Sequence, residues 1–317
     1  MIPSANMTAD RGTVRPDDVA GEQQDGKQFI PSAQGEGTIF REVREYRDKV
    51  MDRWEIIYNA TIIETWRVVN DKWFVILAVM TWMWGILLIM ALVLVNVSAD
   101  VQDREDIFDA GDFFEFYDLI FVFLVLHCGY ISAKNITSQK ADRSITLYLC
   151  RPISKLDYLL IKFLMLVLAL TMLIILPNAV LFALILGVLR LSFMWNLEHL
   201  WVLGSLLLYG GMIVAVFSLL SLAIASLTKK MHWAIAGVFS FLFLTSGLSV
   251  TMREILESDL PALLSPWDNL RQVGAPLFSL DTPFDYPWAY SFVVIVLYIA
   301  VSLAVLIYNI NRVEVLG

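Results

Sequence analysis

Residues 199–228 read HLWVLGSLLLYGGMIVAVFSLLSLAIASLT, a stretch of 30 residues without Asp, Glu, Lys or Arg, and this stretch decides the fold. A helix crosses a bilayer core about 30 Å thick with about 20 apolar residues, so the stretch is long enough to span a membrane. Five more uncharged stretches occur, at residues 73–99, 119–133, 163–189, 231–252 and 286–311. The sequence therefore predicts an all-α polytopic membrane protein with six transmembrane helices, at about 73–97, 114–133, 157–189, 200–228, 232–252 and 288–310.

The composition also indicates a membrane protein. Of the 317 residues, 58% are hydrophobic and 17% are charged, whereas soluble domains are about half apolar and about a quarter charged. The net charge is −8, and the two cysteines, Cys128 and Cys150, provide no disulfide framework. These values exclude nucleic-acid binders, disulfide-rich scaffolds and soluble enzymes.

Lys and Arg are divided unevenly between the segments that join the spans. With six spans and both termini in the cytoplasm, 19 of the 23 basic residues lie on the cytoplasmic side and 4 lie outside. Basic residues are concentrated in the cytoplasmic loops of membrane proteins. The distribution therefore predicts that both termini are cytoplasmic.

The chain divides into four segments. Residues 1–38 lack an apolar signal segment and are typical of a disordered cytoplasmic tail. Residues 39–72 are predicted to form a helix that is first charged and then amphipathic. Residues 73–312 form the six-helix transmembrane domain, and residues 313–317 form a short cytoplasmic C-terminus.

The amphipathic part of the first helix carries an apolar stripe, and its charged residues lie off that stripe. Successive stripe residues are four, four, three and four positions apart: Tyr58, Ile62, Trp66, Val69 and Trp73. Such a helix lies in the membrane interface with its apolar face toward lipid. The alternative is a helix whose apolar face is buried against a cytoplasmic partner, since periodicity alone does not name the apolar surface.

Three segments have some features of ligand sites. Residues 21–28 have the spacing of a phosphate-binding loop, but Gln28 replaces the magnesium-binding Ser or Thr and no strand precedes the loop. The acidic residues of the first external loop, 100–118, lack calcium-loop spacing and are typical of a solvated face. His127 and Cys128 lie at membrane depth without further metal ligands, and a packed histidine bonded to a neighbouring helix is favoured. No catalytic or metal-binding set is predicted.

The basic cytoplasmic loop 134–162 carries the clearest local signals. A short helix is predicted from Asp142 to Cys150, and it ends where Pro152 restricts Arg151. Ser154 is then placed to cap a new helix, with Asp157 as its reciprocal partner. That helix continues toward Leu189 and is longer than the bilayer core, so it must tilt, project into the cytoplasm or bend at Pro177.

Two later segments have distinct packing signals. The fourth span holds two small-xxx-small pairs, Gly211 with Ala215 and Ser221 with Ala225, which permit close helix contact within one subunit or in a dimer. Residues 253–288 are too apolar for an open loop and contain too many prolines for a span. They are predicted to form short helices at the outer interface before the last span.

Residues 147–162, LYLCRPISKLDYLLIK, resemble the loop between the second and third spans of ABC-2-type transporter permeases. In that family a leucine-rich short helix is followed by Arg-Pro-Ile-Ser and a Tyr-Leu-Leu-x-Lys helix start. Residues 65–74, TWRVVNDKWF, are similar to the family's helix before the first span, and residues 264–270, LSPWDNL, to its segment before the last one. The resemblance covers residues 56–312; residues 143–146, RSIT, depart from the family's common Gly-Thr-Leu-Glu.

The resemblance implies the membrane-spanning permease subunit of an ATP-driven exporter in the cell (inner) membrane. A separate cytoplasmic ABC ATPase would bind ATP and magnesium, so this chain would hold no cofactor and catalyse no reaction. A second permease subunit, identical or different, would complete the assembly. The residues expected to couple the permease to the ATPase are Ser144, Ile145, Thr146, Leu147, Tyr148, Leu149, Arg151, Pro152, Ser154 and Lys155.

Three alternatives remain at this stage. A channel or ion-coupled transporter is expected to carry ionisable residues inside its spans, and away from their ends the uncharged stretches hold only His127. A membrane-embedded enzyme needs a cluster of reactive side chains at membrane depth, which the sequence does not show. A permease-like regulatory subunit would keep the family's fold without moving a substrate. The substrate itself stays open.

Overall fold

The computed structural model describes residues 52–98, 110–137, 154–188 and 200–312, and the regular elements in these ranges are all helices. They are α1 (Arg53–Val69), α2 (Lys72–Ser98), α3 (Ala110–Ser132), α4 (Lys155–Leu170), α5 (Leu176–Val188), α6 (Leu200–Leu227), α7 (Met231–Leu256), α8 (Pro266–Gly274) and α9 (Trp288–Asn311). The predicted tail, the charged half of the first helix up to residue 51, residues 100–109 of the first external loop and residues 313–317 lie outside the described ranges. The predicted all-helical fold is confirmed for the part that is described.

Five helical segments in the described ranges are long and apolar enough to cross a membrane: Phe113–Thr137, Lys155–Ala183, Leu200–Leu227, Met231–Leu256 and Trp288–Asn311. They coincide with the second to sixth predicted spans. The first predicted span lies in α2, within which Lys72–Leu87 counts as a shorter apolar helix. The structure thus supports five spans, and the total of six stays a prediction.

The third span is one long helical path with a single wide turn. Residues Thr171–Ile175 form a π-helical turn between α4 and α5, and the Leu176 backbone N–H donates to the Thr171 carbonyl. Pro177 follows directly; it has no N–H and its ring crowds the carbonyl four residues earlier. The amide of Asn178 donates to the Ile174 carbonyl at 2.9 Å. The irregularity expected at Pro177 therefore lies in the turn just before it.

Helix α6 lies in the centre of the bundle and contacts α3, α4, α7 and α9. Most of its residues from Val202 to Ser226 are buried. A glycine is required at position 210, because a Cβ atom there would lie 2.7 Å from the Tyr117 Oη atom and 2.9 Å from Ile175. Close contact of α6 with α3 and with the π-helical turn thus depends on a missing side chain.

The segment before the last span contains the predicted short helices: Leu260–Leu264, α8 and Ala275–Phe278. Ser265 caps α8 by accepting from the Asp268 backbone N–H, and the Ser249 hydroxyl of α7 donates to the Asp268 carboxylate at 2.5 Å. Asp118 of α3 pairs with Arg271 at 3.1 Å and accepts from the Trp267 indole N–H at 2.9 Å. These contacts hold the short helices against the ends of α3 and α7.

Candidate functional site

The structure describes two of the residues predicted to couple the permease to an ATPase, Ser154 and Lys155. The other eight lie outside the described residues: Ser144, Ile145, Thr146, Leu147, Tyr148, Leu149, Arg151 and Pro152. The candidate site is therefore built from the described residues that directly follow this segment at the start of the third span.

Helix α4 begins with the reciprocal cap that the sequence predicts. The Asp157 backbone N–H donates to the Ser154 hydroxyl at 3.1 Å, and the Ser154 backbone N–H donates to the Asp157 carboxylate at 3.2 Å. Such a capping box satisfies two backbone donors that a helix start leaves unpaired. The start of the third span is thereby fixed at Lys155, immediately after the predicted coupling segment.

Helix α1 packs along α4 with its more polar side inward. Its buried residues are Ile57, Thr61, Glu64, Thr65 and Val68. The predicted apolar stripe faces away from the protein: Tyr58, Ile62, Trp66 and Trp73 are exposed and Val69 is half-buried. Trp66 is 69% exposed, whereas Glu64 is only 3% exposed. The orientation of α1 thus leaves an apolar, aromatic face without a partner in the described part of the chain.

Two ion pairs join α1 to α4. At the outer edge of the contact, the Arg53 guanidinium lies 2.5 Å from the Asp157 carboxylate. Deeper in the contact, the Lys162 Nζ atom lies 3.2 Å from the Glu64 carboxylate, with side chains that are 1% and 4% exposed. The Lys162 ammonium also lies 5.5 Å from the centre of the Tyr158 ring. One link is therefore at the surface, and the other is enclosed.

The Glu64–Lys162 pair was not predicted from the sequence. Lys162 stands at the edge of the uncharged stretch 163–189, and a lysine so close to a membrane core requires an anionic or polar partner. The periodicity of α1 places Glu64 off the apolar stripe, which is compatible with either solvent or a protein contact. Since 98 positions separate the two residues, only the packing of α1 on α4 identifies the pair.

A second cluster joins the first and second predicted spans. The Asp71 carboxylate, just before α2, accepts hydrogen bonds from Lys134 and from the Tyr130 hydroxyl. Burial alone would raise the pKa of Asp71, but the bonds from Lys134 and Tyr130 outweigh it and lower the pKa below its usual value. Thr137 then donates to the Ala225 carbonyl at 3.2 Å, which links the π-helical segment after α3, Ala133–Thr137, to α6.

The structure separates the two small-residue pairs of α6. Ser221 and Ala225 are buried inside the subunit. Gly211 and Ala215 are half-buried, and a Cβ atom on Gly211 would have no neighbour within 4 Å. Ser221 and Ala225 therefore pack within the chain. Gly211 and Ala215 lie at a part of the α6 surface that the described residues do not cover.

His127 and Cys128 are both buried in α3. The His127 Nδ1 atom lies 2.7 Å from the Phe123 carbonyl oxygen of its own helix, and the ring contacts Phe74 edge-on. The expected hydrogen bond to a neighbouring helix is thus replaced by a local one, because the carbonyl four residues earlier is within reach. Among the described residues no group of three or more His, Cys, Asp or Glu is arranged to hold a metal ion.

A search against protein-family models matches residues 44–315 to the model described as ABC-2 family transporter protein. The match covers α1 and all the helices that follow it. A search of curated proteins finds no match.

Proposed function

The chain belongs to the ABC-2 transporter family, and we propose that it is the permease subunit of an ATP-driven exporter whose ATP is hydrolysed by a separate cytoplasmic subunit. Members of this family are membrane components of transporters and are not themselves catalytic. The chain is therefore an ABC transporter permease. ATP and magnesium would bind the partner. The observation that carries the proposal is the start of the third span, which is capped by Ser154 and Asp157 and joined to α1 directly after the predicted coupling segment.

In this proposal the ATPase contacts the short helix predicted around Ser144–Cys150. Closing of the ATPase would displace that helix, and the Arg151-Pro152 junction would pass the displacement to the capped start of α4. ATP can shift the permease between two states only if the ATPase makes different contacts in each state. Export would follow when the cavity between two permeases opens toward the outer leaflet or the exterior.

We assign the exposed face of α1 to the cytoplasmic headgroup region of the membrane. Tryptophan and tyrosine are enriched at this depth, and Trp54, Tyr58 and Trp66 are each more than 60% exposed. Arg67, with a side chain that is 65% exposed, lies beside them and suits an anionic leaflet. The assignment agrees with the predicted cytoplasmic position of the N-terminus.

We further propose that a second permease, identical or different, packs on α6 at Gly211 and Ala215. Small residues let two helices approach closely in lipid, where there is no hydrophobic driving force between them. The open space at Gly211 supports this use. Ser221 and Ala225 are buried within the subunit and do not take part.

Co-purification tests the coupling assignment. An ABC ATPase is expected to purify with the full-length protein from its native membrane and to be lost when Leu147 and Leu149 are both changed to Asp, because two charges would disrupt an apolar contact. The matched control changes Lys229 and Lys230 to Asp, which places two aspartates in the next predicted cytoplasmic turn and is expected to keep the ATPase. An ATPase retained by the Leu147→Asp, Leu149→Asp variant would contradict the assignment.

A further inference from the structure

The Glu64–Lys162 pair is the one ion pair in the described residues whose two side chains are both almost fully enclosed. The other four pairs each have a partner that is a third or more exposed. In the two helices the apolar residues Ile57, Val68, Ile161 and Met165 are buried, and so are Thr61 and Thr65 of α1. Two opposite charges are thus enclosed in the same interface as these uncharged side chains.

Stability is a poor reason for such a pair. Removing two charges from water is costly, and replacing a buried ion pair with apolar residues of similar size is often neutral or stabilising. What a buried polar pair adds in well-studied cases is a unique alignment of two helices, because any other alignment leaves a charge enclosed without a partner. An apolar contact between α1 and α4 lacks that penalty and can settle in several registers.

The position of the pair suits force transmission. Lys162 lies five residues after Asp157, which is about 7.5 Å along the helix, so both links to α1 are in the first half of α4. The π-helical turn Thr171–Ile175 and Pro177 follow the end of α4. Wide turns and prolines are where helices most readily bend. Helix α4 is therefore held to α1 on the N-terminal side of the turn at which the third span can bend.

We propose that Glu64 and Lys162 are positioning residues that fix the register of α1 on α4, so that the two helices move as one lever when the ATPase displaces the start of the third span. The inference rests on the proposed function and adds the contact between α1 and α4 to the residues that couple the permease to the ATPase. Arg53 and Asp157 add a surface contact to the same interface. The buried pair sets the alignment, and the π-helical turn is where the lever bends.

The decisive variant replaces both charges with apolar side chains, Glu64→Leu with Lys162→Met, in the full-length protein reconstituted with its ATPase in lipid nanodiscs. The measured quantity is the ATPase rate of the complex relative to that of the ATPase subunit alone. Assembly and melting temperature are expected to stay near those of the unchanged protein, while this ratio changes about fivefold or more, the lower end of usual coupling between sites.

Arg271→Gln is the control, because it removes a partly exposed ion pair, that with Asp118, from outside the α1–α4 interface and is expected to leave the ratio unchanged. A purely structural role for the buried pair predicts that the apolar double variant couples normally. That result would overturn the proposal. Single substitutions are not needed for the test, so a single variant that fails to fold does not affect the outcome.

A second measurement does not require an ATPase. Spin labels at Ile62→Cys on α1 and Leu168→Cys on α4, both at exposed positions, report the helix alignment after Cys128 and Cys150 are replaced by Ala. One narrow distance distribution is expected with the native pair, and a broad or shifted one with the apolar double variant. Identical narrow distributions would overturn the register claim. Absence of any co-purifying ATPase would instead contradict the proposed function and leave this distance result to stand alone.

Discussion

Replacement of Gly210 by Ala is expected to destabilise the helix bundle, whereas the same replacement at the adjacent Gly211 is not. A Cβ atom on Gly210 would lie 2.7 Å from the Tyr117 Oη atom and 2.9 Å from the Ile175 side chain, and Cβ atoms in proteins essentially never approach other atoms so closely. A Cβ atom on Gly211 would have no neighbour within 4 Å. Two neighbouring glycines of one helix thus provide a matched pair with opposite expectations.

The expected loss of stability follows from the side chains that a methyl group on residue 210 would displace. Tyr117 is fully buried and its hydroxyl donates to the Leu206 carbonyl at 2.8 Å, so a displaced ring also loses this bond. Overpacking a core costs about 1–3 kcal/mol, and a lost buried hydrogen bond adds about 1 kcal/mol. Both alanine variants gain about 1 kcal/mol from helix propensity. Gly210→Ala should therefore lose about 1–3 kcal/mol, and Gly211→Ala should keep or slightly raise stability.

Thermal unfolding of the purified protein in nanodiscs that hold a single copy measures these effects without the proposed contact between Gly211 and a second permease. In chains of 150–250 residues about 1 kcal/mol shifts the melting temperature by about 2–4 °C, so Gly210→Ala should lower it by several degrees. Adding Tyr117→Phe removes the atom nearest the new methyl group, and the double variant should lose less than the sum of the two single losses. A Gly210→Ala protein as stable as the unchanged one, or strictly additive losses, would refute the assigned contact.

Two further predictions concern the end of the helix bundle that is predicted to be cytoplasmic. Hydrogen bonds from Lys134 and Tyr130 keep the pKa of Asp71 below its usual value, so the stabilisation from this carboxylate is present above the pKa of the unfolded chain and is lost as pH falls through the lower folded pKa. Asp71→Asn is therefore expected to lower the melting temperature at neutral pH. The melting temperature of this variant should also fall less between neutral and acidic pH than that of the unchanged protein. Equal melting curves for the two proteins would argue against the cluster. If the face of α1 lies in the membrane interface, lipids brominated near the headgroup should quench Trp66, so that Trp66→Phe reduces the quenched fraction of the total fluorescence. An unchanged fraction would favour a protein partner on this face.

The parts of the site that follow from local rules were predictable. The cap between Ser154 and Asp157 involves residues three positions apart, and the apolar stripe of α1 follows from helical periodicity. The short helices between residues 253 and 288 were indicated by prolines in an apolar segment. In each case the physical cause acts within a few residues, so the order of residue types is sufficient.

The contacts between distant segments were not predictable in the same way. The stripe on α1 identifies an apolar face, but its outward direction depends on α4, which buries Glu64 against Lys162. The two small-residue pairs of α6 look alike in the sequence, yet Ser221 and Ala225 face the bundle while Gly211 lies beside open space. The wide turn before Pro177 lies against Gly210 and would be crowded by any side chain there.

The sequence by itself determined the helical, membrane-spanning character of this protein, because apolar stretches of this length must satisfy their backbone hydrogen bonds internally in lipid. The family resemblance carried by residues 147–162 also needs no coordinates. Only the tertiary structure decided which side of α1 is buried and that Glu64 lies against Lys162. Charge pairing across 98 positions depends on how two helices pack, and the local sequence of either helix does not indicate which helix it packs against.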